Sequence, residues 1–209
     1  MNLFTAPAFL AGMVLSLSLI MAIGPQNAHV MRMGLQRQHL WLTIAVCVAT
    51  DIALIATGVA GLAQLGGLSD KLLGAISGAG ALVLLLYGAQ AMRRFLQPAL
   101  HAGAAPETAK GMPRRQAIAQ ALALSWLNPH AWLDTAVVIG TASLAYAQPD
   151  NAVFGLGAAA GSLLWFGALG AAMACLGRRL NSPRFWRALD GLVAVMMGGT
   201  ALWLLAGLF

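Results

Sequence analysis

Two aspartates, Asp51 and Asp134, lie inside apolar runs long enough to cross a membrane, and only six acidic residues occur in the 209. A carboxylate at the bilayer centre costs about 2.5–3.5 kcal/mol on insertion scales, so an acid there faces a cavity, a partner or a transported ligand. Such a group binds a cation, exchanges a proton or bonds to neighbouring helices. His130 precedes Asp134 by four residues, the spacing that puts two side chains on one face of an α-helix. That pair holds a proton, binds a cation or neutralises itself. A metal site through Asp51, His130 and Asp134 lacks a full ligand set, and no cofactor motif is present. The four His, two Cys and scattered Ser show no nucleophile–base spacing, which argues against an enzyme.

Each aspartate has a proline break nearby. Gly24-Pro25-Gln26-Asn27 interrupts the first apolar run and Asn128-Pro129-His130 the fourth. Proline removes a backbone donor and clashes with the preceding turn, and in lipid the freed carbonyls need protein, water or substrate. The half-helices that follow present free N–H groups and a positive dipole end, suited to a carboxylate. Gln26, Asn27, Asn128 and His130 add side-chain polarity. The alternative is two ordinary kinks with capping polar residues. Trp126 and Trp165 either stack on a cationic substrate or pack apolar surface; His29 and Asp190 read as structural or interfacial.

The elements that position these residues are membrane helices. Hydrophobic residues are 60% of the chain and charged residues 9%, against about 25% charged in a soluble domain. Apolar segments run over 6–31, 40–65, 72–92, 116–145, 152–177 and 187–208, each near the ~20 residues that a spanning helix needs. The chain is one transmembrane domain, 1–209, with halves of about 1–95 and 114–209 and an Ala/Gly/Pro-rich linker of about 96–113. No Lys or Arg precedes the first run, so it reads as a membrane helix rather than a signal peptide.

Charge sets the orientation. Eleven of the twelve basic residues, Arg32 and Arg37 among them, fall in or beside the first, third and fifth connections; only Lys71 lies opposite. The positive-inside rule makes those connections cytoplasmic and puts both termini outside. Trp41 and Trp186 suit an interfacial belt at cytoplasmic helix ends. The net charge of +6 therefore reports topology and lipid contact, not nucleic acid. Six helices divide into two threes, an all-α fold of two inverted repeats with helices 1 and 4 broken, and paired breaks of this kind mark midplane sites in transporters. Cys47 and Cys175 read as small core residues. Gly157-Ala-Ala-Ala-Gly161 and Gly74-Ala-Ile-Ser-Gly78 are close-packing faces, within a monomer or in a homodimer.

Ile23-Gly24-Pro25-Gln26-Asn27-Ala28, the Asp51 helix, the run from Trp126 to Thr135 and Ser162-Leu163-Leu164-Trp165-Phe166 closely resemble the LysE family of bacterial lysine and arginine exporters. The likeness extends over essentially the whole chain. It implies export of basic amino acids across the inner membrane, driven by the membrane gradient, and picks out Gly24, Pro25, Gln26, Asn27, Asp51, Asn128, Pro129 and Asp134. His29 departs from the apolar residue expected there, and the central loop is short.

Lysine and arginine carry an α-carboxylate, an α-ammonium and a side-chain cation. The half-helix ends after Pro25 and Pro129 suit the carboxylate; Asp51 and Asp134 suit the cations, and no intramembrane Lys or Arg is expected to neutralise them. An aspartate that binds proton and substrate in turn would couple export to proton entry. A neutral amino acid needs only one fixed acid, so two favour a dibasic substrate. Neutral amino acid export and cation or metal export are the alternatives.

Overall fold

The computed structural model describes residues 6–21, 24–62, 70–97, 112–128, 131–180 and 182–206, and among them the regular structure is helical, with no strand. The first apolar segment becomes α1 (Ala6–Ile20) and α2 (Pro25–Gln36). Next come α3 (Leu40–Thr57), which runs into a π-helical turn at Gly58–Leu62, and the long α4 (Asp70–Leu96). The fourth segment comprises α5 (Arg114–Trp126), a π-helical stretch at Trp132–Val138 and the short α6 (Ile139–Ser143). α7 (Asp150–Leu180) and α8 (Pro183–Ala206) complete the bundle.

Among the described residues, two helices, Leu40–Gly61 and Asp150–Leu176, are long and apolar enough to cross a membrane. Ala6–Ile20 and Pro25–Gln36 together pass the same test as one span bent by 74° at its break. Arg37 and His39 both take left-handed backbone angles (φ 53° and 51°) and turn the chain from α2 into α3. That turn docks on the segment before α5: His39 Nε2 donates to Met112 O at 2.7 Å, and Met112 N–H donates to Gln38 Oε1 at 3.0 Å.

Two long pairings organise the bundle, α1 along α7 and α4 along α8. In lipid, apolar side chains gain little from leaving the solvent, so helices associate through close packing. Small residues make this packing close. A Cβ on Gly12 would run into the carbonyl of Phe154, and one on Gly157 into the carbonyl of Phe9. The Gly157–Gly161 face is thus used within the monomer. α3 lies against α5 and both π-helical stretches, where a Cβ on Gly58 would strike Ala136 and one on Gly140 would sit 2.7 Å from Gly58 O.

Three expectations change. Trp186 is buried at 8% exposure in the α4–α8 core, not in an interfacial belt. Cys47 is buried, but Cys175 is exposed on the surface of α7. Arg32 is not in a connection but inside α2, paired with buried Asp190. Sequence hydropathy missed this because a polar α2 reads as the end of a span when its apolar partners lie elsewhere in the chain.

Candidate functional site

The first break is built by four consecutive residues. Gly24 is extended (φ −104°, ψ 179°), and Pro25 occupies the first turn of α2, where its missing N–H removes no helical bond. Gly24 O accepts the Ala28 N–H at 3.0 Å. Asn27 ties the two half-helices together: Nδ2 donates to Ile20 O at 2.8 Å at the end of α1, while Oδ1 accepts Trp165 Nε1 at 3.0 Å. The bent span thereby has its freed α1 carbonyl met by protein.

Asp51 sits in the middle of α3 at 2% exposure. Its Oδ1 accepts Gln26 Nε2 at 3.3 Å, and its Oδ2 accepts Ser162 Oγ at 2.7 Å. Gln26 Nε2 also donates to Ser125 Oγ at 2.7 Å, and Ser125 Oγ donates back to Ala121 O at 2.8 Å. One buried carboxylate therefore gathers α2, α3, α5 and α7. Among the described residues it has no ion-pair partner, so its partners are neutral hydroxyl and amide donors.

At the second break α5 ends at Trp126. Trp132 Nε1 reaches back to Trp126 O at 2.9 Å, and the two indoles meet edge to face at 5.4 Å. Asn128 O accepts the N–H groups of Ala131 and Trp132 at 3.0 and 3.4 Å. Asp134 follows in the π-helical stretch, where Ile139 N–H bonds to Asp134 O across five residues. Pro129 and His130 lie outside the described residues.

A cleft of about 190 Å³ lies where the two breaks meet. Gly24, Pro25, Gln26 and Asn27 line it from one break, Asn128 and Asp134 from the other, and Asp51 from α3. The structure thus brings seven of the ten singled-out residues together. Trp165 stands behind Asn27 as its hydrogen-bond partner. Ser125 and Ser162, which hold Gln26 and Asp51, had no sequence signal as partners; a serine in a spanning helix is too common to mark. Thr135, Met196 and Thr200 also line the cleft and were not anticipated. Among the described residues no three His, Cys, Asp or Glu side chains converge on a metal-sized point.

Apolar spans, two interrupted helices and a cleft with two carboxylates between them define a membrane translocator: the cleft offers charge and hydrogen bonds to a solute. The family model of LysE type translocators matches residues 17–207, and the chain belongs to that family. It is similar to the arginine exporter protein ArgO of Pectobacterium carotovorum, with 38% identity over 93% of this chain and 94% of the relative. The ArgO of Serratia proteamaculans is 36% identical over 93% and 94%. The lysine exporter LysE of Corynebacterium efficiens is 33% identical over 92% and 96%. No solved structure matches the chain.

Proposed function

We propose that this protein is a secondary active exporter of basic L-amino acids, arginine and lysine, exchanging them for protons across the bacterial inner membrane. The observation that carries the reading is that Asp51 and Asp134 line one cleft at the meeting of two helix breaks. The names of the relatives, arginine exporter and lysine exporter, support the substrate class. In the cleft the backbone donors after Pro25 take the α-carboxylate. Asp51 and Asp134 take the cationic groups, with Gln26 and Asn27 completing the polar lining and Trp165 holding Asn27.

The fold is two inverted three-helix repeats, about 1–95 and 114–209, joined by a cytoplasmic linker of about 96–113, with both termini outside. The pairing supports this: α1 of the first broken helix lies along α7, while α3 lies against α5 and the π-helical stretch of the second. Exchanging the halves converts one contact into the other, and α4 against α8 maps onto itself.

Moving a +1 substrate out of an inside-negative cell costs about 2.3 kcal/mol per 100 mV. One inward proton per substrate cancels the charge, and each unit of pH gradient then contributes about 1.4 kcal/mol. Flux of labelled arginine and lysine in inverted vesicles, with and without a pH gradient, tests the reading. The expected result is gradient-driven transport of both, abolished by Asp51→Asn and by Asp134→Asn with the protein still in the membrane. Wild-type rates in both variants would sink the coupling; transport of a neutral amino acid in place of arginine and lysine would sink the substrate assignment.

A further inference from the structure

A second cavity, of about 210 Å³, lies between α2, α4, α5 and α8. It shares two helices, α2 and α8, with the cleft. Asn27 and Met196 line the cleft, whereas their chain neighbours Ala28 and Met197 line the cavity. From Gln26 to Arg32 is six residues, about 9 Å along α2. The cavity is therefore one step nearer the basic end of α2.

Its chemistry is donor-rich. Asp190, 2% exposed, accepts Arg94 Nε at 3.0 Å and Arg32 Nη1 at 3.3 Å on the same oxygen, Oδ1. The two guanidiniums and one carboxylate carry a net charge of +1. Each guanidinium has five N–H donors in a planar fork, and each side chain keeps 24% exposure beside the cavity that it lines. His29 lines the same cavity at 5% exposure. Its Nε2 has no hydrogen-bond partner among the described residues. A buried polar atom left unmet is costly, and the residue that carries it is part of the cavity wall. Gln90 and Gln120 add amide groups to the wall.

We infer that this cavity is a second binding site, which takes the carboxylate of the amino acid before it reaches the cleft at the breaks. The inference rests on the export function and orientation proposed above. Arginine forks match a carboxylate in two-point geometry, and His29 Nε2 supplies a further donor in the tautomer that carries its proton there. The net positive charge holds the substrate's cationic side chain away from the cluster, toward Asp51 and Asp134. Asp190 keeps the two guanidiniums together when no ligand is bound.

The test uses full-length protein in proteoliposomes, with labelled arginine supplied separately to each face. Arg94→Gln leaves the Arg32–Asp190 pair neutral, and His29→Leu removes the imidazole without touching the ion pairs. Each variant is expected to raise the half-saturating arginine concentration about tenfold at the cytoplasmic face, a loss of about 1.4 kcal/mol in affinity, with little change at the outer face. Agmatine, which lacks the carboxylate, should show no difference between wild type and variants. If both variants keep the wild-type value, or if it rises equally at the two faces, the site is overturned. If Arg94→Gln does not reach the membrane, His29→Leu alone decides. A wild-type protein that moves neither arginine nor lysine is a separate result: it overturns the export reading, and this inference with it.

Discussion

Ser162 of α7 donates its hydroxyl to Asp51 Oδ2 at 2.7 Å, joining residues 111 positions apart. Gln26 occupies the other carboxylate oxygen at 3.3 Å. The plane of the carboxylate is thus set from two sides by neutral donors, and the residue lines the cleft.

Removing Ser162 should therefore loosen the acid without deleting it. A hydrogen bond to a charged group is worth about 1.5–3 kcal/mol. Ser162→Ala is expected to raise the half-saturating arginine concentration about tenfold or more, with normal amounts of protein in the membrane. Initial rates in inverted vesicles across a concentration series check this; an unchanged curve would remove Ser162 from the site.

Gln26 bridges Asp51 and Ser125 with one amide nitrogen. Gln26→Ala and Ser125→Ala should be non-additive, with a coupling of about 0.5–3 kcal/mol, as for other residues in one hydrogen-bond network. Thermal unfolding of the two single variants and the double variant in detergent measures it. Strict additivity would show that the 2.7 Å contact contributes nothing to the fold.

Trp165 distinguishes two roles by one substitution. Trp165→Phe keeps an aromatic face and removes the indole N–H that holds Asn27. If holding Asn27 is its task, Trp165→Phe and Trp165→Ala should lose similar activity, with about 1 kcal/mol traceable to the hydrogen bond. If a cation stacks on the ring, Trp165→Phe should stay close to wild type in the same flux assay.

The glycines divide by what surrounds them. Gly58→Ala and Gly157→Ala each drive a methyl into a neighbouring backbone carbonyl and should cost about 1–3 kcal/mol, the usual range for overpacking. At Gly167 a Cβ meets nothing within 4 Å, so Gly167→Ala should be neutral or stabilising by about 0.5–1 kcal/mol. Melting temperatures of the three purified variants give the comparison.

Sequence by itself determined the helical membrane class, the site of both interruptions and the residue types beside them. Long apolar runs admit little else in lipid, and a proline after glycine or asparagine disrupts a helix wherever the chain goes afterwards. Both aspartates could be singled out because charge inside an apolar run is costly in any packing. Tertiary structure alone decided which polar groups meet: Ser162 and Gln26 on Asp51, Trp165 on Asn27, and Arg32 with Arg94 on Asp190. It also turned Trp186 inward and Cys175 outward. The reason is the solvent. In water an apolar stripe marks the buried face of a helix, but lipid is as apolar as a core. The rotation of each helix is then set by glycine contacts and interhelical hydrogen bonds, and those exist only once the helices are packed.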